Sequence, residues 1–227
     1  MTTNLTEFYE LLKLCNQLFY NEYREPNKYH YRFEKYLSDN IEITERLLDI
    51  LQKEGEETFL CAPTGSGKTF EILEKVFKST TDNTVNIICV PNRSQALQIE
   101  KEYNIPALVG KGNTNDTKSQ TKIEYFIDEE KNIEMIENNY VCVYDKTTEI
   151  IQFIEKLQQV QSNLKVNFII DEAHSLATAR FREGALRQLR KLIDMILKQK
   201  GSVLYTTASS DLMVYGKFNN VIFCDCQ

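Results

Sequence analysis

Apolar residues along this chain recur with two periods, and the alternation between them predicts an α/β architecture. Short, continuous apolar runs read as buried strands at Thr58–Cys61, Val85–Val90, Ala107–Val109, Tyr140–Tyr144 and Val166–Ile170. Apolar residues three and four positions apart read as helices at Phe70–Phe77, Ser94–Tyr103, Ser119–Ile127, Thr147–Val160 and Gly184–Lys200. Strands and helices that alternate in this way predict a mostly parallel, doubly wound sheet flanked by helices. After Ser209 the pattern offers one short helix and one apolar strand, Val221–Cys224.

The first strand of that series starts late. Upstream of it, Phe8, Leu11, Leu12, Cys15, Leu18 and Phe19 recur at helical spacing, and Ile41–Gln52 forms a further helix. The chain therefore divides into an N-terminal helical extension over residues 1–54 and a main domain over 55–227. Between the two upstream helices, Tyr29 to Tyr36 interleave aromatics with cations. Such a segment serves either as aromatic core or subunit contact, or as a base-stacking surface. The helix at 184–200 carries an apolar stripe of Leu186, Leu189, Ile193 and Ile196. Arg187, Lys191 and Lys198 line another face, which is either a solvated surface or a basic patch. Lys111–Thr117 is the most loop-like stretch.

The strand Thr58–Cys61 and the helix Phe70–Phe77 flank Ala62-Pro63-Thr64-Gly65-Ser66-Gly67-Lys68-Thr69. This is a phosphate-binding loop, with Ala62 in place of the usual first glycine. Small residues let backbone N–H groups turn inward around a polyphosphate, and the helix that follows aims its positive end at the same place. Lys68 supplies a point charge for the terminal phosphates. The Thr69 hydroxyl suits Mg²⁺, which prefers oxygen ligands shared with phosphates.

A second strand, Val166–Ile170, runs straight into the adjacent acids Asp171 and Glu172. Adjacent carboxylates repel each other and are costly to desolvate, so they make a poor core and a good metal site. Asp171 would sit by the Mg²⁺, and Glu172 would orient and deprotonate the attacking water of a phosphoryl transfer. Between residues 68 and 171 there is room for about three strand–helix–strand units of roughly 30 residues each.

The loop at 62–69 and the tetrad Asp171-Glu172-Ala173-His174 resemble motifs I and II of superfamily 2 helicases of the DEAD/DEAH-box kind. Pro91-Asn92-Arg93-Ser94-Gln95-Ala96-Leu97-Gln98 is similar to motif Ia, and Thr207-Ala208-Ser209 to motif III. Val143 to Thr147 occupy the place of motif Ib. The resemblance covers roughly residues 55 to 225. It implies a RecA-like fold, ATP as the nucleotide with Mg²⁺, and a nucleic acid as partner. It also implies that His174 with Thr207 or Ser209 couples the nucleotide site to nucleic acid. Pro91, Asn92 and Arg93 would then lie near a nucleic-acid phosphate. DNA is favoured over RNA, because the Val143–Lys146 segment resembles viral and mobile-element helicases.

Two family parts have no counterpart in the sequence. No adenine-recognition motif is evident in residues 41–56, and no arginine follows Ser209 to serve as an arginine finger. Such a finger can contribute about 10³–10⁵ in rate. The chain is therefore expected to need a second RecA-like lobe, in a longer chain or a partner subunit, and to hydrolyse ATP slowly alone. A nucleotide-gated binding module without meaningful hydrolysis is the alternative.

Composition narrows the setting. The chain has 227 residues, 42% hydrophobic, and a net charge of −6, which speaks against strong nucleic-acid binding by this chain alone. No apolar stretch approaches the ~20 residues of a membrane span, and no signal-peptide pattern opens the chain. Of six cysteines, Cys61, Cys89, Cys142 and Cys224 fall in strand-like runs, and no Cys-x-x-Cys pair exists. Zinc and iron–sulfur readings are thereby disfavoured, and a reduced, cytoplasmic or other intracellular setting is expected.

Overall fold

Strands that are apolar on both faces demand cover on both sides, and the central strands of this chain receive it. The computed structural model describes residues 26–79, 81, 83–109, 123–128, 133–160, 163–178, 183–210 and 218–226. Its strands are β1 (Asn27–Phe33), β2 (Glu57–Cys61), β3 (Thr84–Val90), β4 (Ala107–Leu108), β5 (Tyr125–Ile127), β6 (Ile133–Met135), β7 (Asn139–Val143), β8 (Lys165–Ile170), β9 (Ser202–Thr207) and β10 (Asn220–Cys226). Eight of them form one sheet in the order β1-β10-β2-β9-β8-β3-β7-β4. Every pairing in this sheet is parallel.

Alternate side chains leave for opposite faces. Leu60, Ile88, Val90, Ile169 and Leu204 point to one face, under α1 (Ile41–Gln52), α2 (residues 68–79, α-helical over Lys68–Glu71, then a π turn and a 3-10 turn) and α3 (Arg93–Tyr103). Val85, Ile87, Cys89, Phe168 and Val203 point to the other, under α4 (Thr147–Gln159) and, beyond the short α5 (His174–Thr178), α6 (Glu183–Lys198). This is the doubly wound parallel sheet that the hydrophobic pattern predicts. α6 meets it through Leu189, Leu192 and Ile196. On its outer side Lys191 pairs with Glu155 at 3.4 Å, the solvated-face reading of that helix.

Two expectations differ from the structure. Residues 27–33, within the expected helical extension, are strand β1, hydrogen-bonded to β10 at the sheet edge. Alternation explains it. Tyr29, Tyr31 and Phe33 face the core, and Arg46 covers the Tyr29 ring at 4.4 Å and donates to the Tyr31 hydroxyl at 3.2 Å. These aromatics therefore serve packing. The helix expected at Ser119–Ile127 is not one at its C-terminal end: Tyr125–Ile127 is β5, antiparallel to β6. Tyr, Phe and Ile favour a pleated surface once a partner strand is available. The amphipathic segment at 8–19 and the loop at 111–117 lie outside the described residues.

Side-chain amides mark the strand register. Asn86 lies opposite Asn139 on β7 and Asn167 on β8, and its side chain bonds to theirs at 2.8 and 3.0 Å. A one-residue slip would break this ladder and turn every apolar side chain to the wrong face. The turn into β9 is pinned sterically. A Cβ on Gly201 would lie 2.3 Å from the Val166 carbonyl oxygen and 2.6 Å from Ile196 Cγ2. Gly201→Ala is therefore expected to destabilise the fold by about 1–3 kcal/mol, the usual range for overpacking. Thermal unfolding followed by circular dichroism reads this as a lower midpoint, and an unchanged midpoint would contradict it.

Candidate nucleotide and metal site

Register brings the candidate residues to one edge. Cys61 is level with Thr207, Tyr205 with Ile170, and Ile170 with Cys89. The residues that follow these strands, on the adjacent β2, β9, β8 and β3, therefore emerge side by side at the carboxyl ends, where parallel sheets bind ligands. Backbone bonds stitch the edge together. Ala62 N–H donates to the Thr207 carbonyl at 3.0 Å, Asp171 N–H to Cys89 at 2.9 Å, and Ala173 N–H to Thr206 at 2.9 Å.

The loop at 62–69 turns on Gly65 (φ 77°) and Gly67 (φ 81°), both left-handed, which only glycine adopts without strain. Ala62 is buried with an ordinary backbone, so nothing at that position demands glycine. The loop is tied to the segment before α1 by Leu37 N–H donating to the Ser66 carbonyl at 2.9 Å. Tyr36 stands beside Gly67, its ring carbon 3.7 Å from where a Cβ would be, and is 43% exposed.

Lys68, in the first turn of α2, is 5% exposed and donates to the Ala62 and Pro63 carbonyls at 2.8 and 2.9 Å. Burial pulls its ammonium below the ordinary lysine range, and the Glu172 and Asp171 carboxylates pull it partly back up. Asp171 is 1% exposed and fully engaged. Its Oδ2 accepts from the Thr69 hydroxyl at 2.9 Å and the Gln95 amide at 3.2 Å. Its Oδ1 accepts from the Thr206 hydroxyl at 2.6 Å and the Glu172 N–H at 3.1 Å. The Tyr144 hydroxyl donates to the Asp171 carbonyl at 2.7 Å, and burial pushes this phenol well above its ordinary range, so it stays a donor.

Glu172 has a φ of 51°, a left-handed backbone that costs a non-glycine residue of order 1–3 kcal/mol. The turn aims its half-exposed carboxylate at His174, whose Nδ1 lies 3.1 Å from Glu172 Oε2 and 3.3 Å from Thr207 Oγ1. Ser209 N–H donates to that Thr207 hydroxyl at 3.1 Å. Glu172, His174, Thr207 and Ser209 are thus one connected group. Pro91, Asn92 and Arg93 lie at the neighbouring end of β3. Asn92 caps α3 by accepting the Gln95 N–H at 2.9 Å, and Arg93 donates to the Val109 carbonyl at 3.1 Å.

Four side chains here escaped the sequence reading. Strand alternation could have found Thr206, which shares a face with Leu204, whereas the Thr-Ala-Ser pattern points to Thr207. Gln95, Tyr36 and Tyr144 are set by long-range packing and carry no local signal.

The residues present fit a magnesium nucleotide. The Ser66 hydroxyl, inside the loop and 3% exposed, has no hydrogen-bond partner among the described residues. Thr69 and Asp171 offer hard oxygen donors. Among the described residues no group of three or more His, Cys, Asp or Glu gathers as a metal cage. The Thr69 hydroxyl and the Asp171 carboxylate suit Mg²⁺, which takes one or two protein oxygens plus phosphates and water. No helix among the described residues is long and apolar enough to cross a membrane.

Among curated proteins none matches the chain. Among solved structures it is similar to the DUF1998 helicase MrfA bound to DNA and AMPPNP, at 15% identity over 80% of this chain and 26% of that one, with a TM-score of 0.51. A second MrfA crystal structure is matched at 13% identity over 94% of this chain and 32% of that one, with a TM-score of 0.49. A DEAD box protein from the hyperthermophile Methanococcus jannaschii gives 18%, 76%, 46% and 0.45 for the same four quantities. The chain spans about a third or less of MrfA. At 15% identity the likeness to the MrfA structure bound to DNA and AMPPNP is one of fold, a RecA-like core. The sequence model for the DEAD/DEAH box helicases matches residues 41–214, which hold the loop at 62–69, the Asp171–His174 turn and Thr207–Ser209, and the chain belongs to the DEAD/DEAH box helicase family.

Proposed function

We propose that this chain is the ATP-binding and ATP-hydrolysing lobe of a nucleic-acid helicase or translocase, dependent on Mg²⁺ and acting on DNA in preference to RNA. The observation that carries the reading is the bond between Thr69 and Asp171, 2.9 Å long, which joins the phosphate loop to the acidic turn. Mg-ATP supplies the phosphoanhydride to be cleaved and the divalent charge that offsets its anionic oxygens.

The chain's own residues do the rest. The backbone of residues 62–69 cradles phosphate oxygens, and the Ser66 hydroxyl finds there the partner it lacks. Lys68 exchanges two neutral carbonyls for anionic oxygens. Thr69 and Asp171 hold the cation, with Thr206 and Tyr144 fixing the carboxylate and its backbone. Glu172 accepts a proton from the attacking water, and His174 beside its Oε2 relays its state to Thr207 and Ser209. Tyr36 forms a wall on the loop's outer side where a base can pack. Pro91, Asn92 and Arg93 approach a nucleic-acid phosphate, and a second RecA-like lobe contributes an arginine finger.

Family membership supports ATP-dependent helicase chemistry in general. The MrfA structure of like fold, bound to DNA and AMPPNP, supports the polymer and the nucleotide. The test is steady-state ATP turnover by the full natural protein with oligo-dT, with oligo-U and without either. Turnover is expected to rise severalfold with oligo-dT and less with oligo-U. Equal turnover in all three arms overturns the nucleic-acid reading, and stronger stimulation by oligo-U reverses the choice of polymer.

A further inference from the structure

We infer that Gln95 is the positioning residue through which the turn at 91–95 and the metal-binding carboxylate sense each other. The inference rests on the nucleic-acid reading above and deepens it. Asp171 has four donors, and three come from the nucleotide loop, the strand beside it and its own turn: Thr69, Thr206 and the Glu172 N–H. The fourth, the Gln95 amide, comes from the first turn of α3 and makes the longest of the four bonds, at 3.2 Å.

Gln95 is held at both ends. Its N–H is capped by Asn92 at 2.9 Å, and the next residue of α3, Ala96, is fully buried in the core beneath the helix. The Gln95 backbone is thereby tied to Asn92, and a movement of residues 91–93 moves the side-chain amide with it. An amide N–H and a divalent cation compete for the lone pairs of one carboxylate. With all of Asp171's oxygens engaged, a cation that draws on Oδ2 weakens the longest bond first. The released amide then loosens the turn it is built into. By linkage, a ligand that reshapes the turn alters the affinity of the cation site by the same factor.

The test is a coupling measurement on the full natural protein. The dissociation constant of a fluorescent ATP analogue with Mg²⁺ is measured with and without saturating oligo-dT, and the ratio of the two is the readout. Linked sites commonly differ by about 5–150-fold, and Gln95→Leu is expected to bring the ratio to within about twofold of one. Gln95→Asn keeps the amide but falls a methylene short of Asp171, and is expected to behave like the Leu variant. It also serves if the Leu variant fails to give a cooperative thermal transition. A purely structural residue would weaken both constants together and leave the ratio intact, and that outcome overturns the inference. A coupled wild type with an equally coupled variant overturns it too, while the nucleic-acid reading stands. A wild-type ratio of one overturns both.

Discussion

Glu172→Gln lowers ATP turnover by about 10²–10⁴-fold, the usual contribution of a positioned general base, while nucleotide binding persists. Gln has the shape of Glu and meets the same left-handed backbone at φ 51°, so the turn is no more strained than before. The hydrogen bonds of the buried Asp171 with Thr69, Thr206 and Gln95 are untouched. What is lost is the ability of the side chain to accept a proton, together with its charge beside His174 Nδ1. Single-turnover hydrolysis and titration with a fluorescent ATP analogue separate the two effects. Undiminished turnover in the variant would sink the base assignment, and a parallel loss of binding would recast Glu172 as a holding residue.

Lys68→Ala is expected to cost about 10²–10³-fold in turnover, the scale of removing one preorganised electrostatic donor, and to weaken nucleotide binding as well. The reason lies in the burial of the charge. The ammonium is buried, donates among the described residues to the neutral Ala62 and Pro63 carbonyls, and burial outweighs the attraction of Glu172 and Asp171. Burying that charge is costly, and an anionic ligand relieves the cost. Thermal unfolding checks this directly. A ligand at 100 times its dissociation constant stabilises by about 2.7 kcal/mol, which for a chain of this size raises the midpoint by about 5–11 °C. Wild type should show that rise with Mg-ATP and the variant should not, while the ligand-free variant melts no lower than wild type. The pH dependence has a definite sign. Because Lys68 sits below its unfolded value of 10.5 when folded, the unfolded chain binds more protons in that window. Stability therefore gains from this group as pH rises toward 10.5, a gain absent from Lys68→Ala. A ligand-free variant that melts well below wild type would make Lys68 a structural residue.

Parts of the site were legible because their chemistry is contiguous. Gly65 and Gly67 must lie where the chain turns left-handed, and Lys68 and Thr69 must open the helix that follows. An apolar strand ending in Asp171-Glu172 points to a cation without any fold in hand. The meeting of His174 with Thr207, by contrast, came only through resemblance, since 33 residues separate them and nothing local requires the contact. Gln95, Tyr36 and Tyr144 were missed for the same reason, as each reaches the site from a different element. β1 was misread because the alternation of Tyr29, Tyr31 and Phe33 with His30 and Arg32 makes a strand only where a partner is available, and that partner, β10, lies at residues 220–226.

The amino-acid sequence by itself determined the elements that depend on near neighbours: alternating strands and helices, a sheet covered on both faces, and a loop shaped for phosphates. Only the tertiary structure decided which strand ends stand together. Strand order and register are settled by hydrogen bonds and side-chain fit between segments far apart in the chain, such as the Asn139–Asn86–Asn167 ladder. That placement surrounds Asp171 with Thr69, Gln95 and Thr206 from three separate elements, and so turns a phosphate-binding loop and an acidic turn into one site.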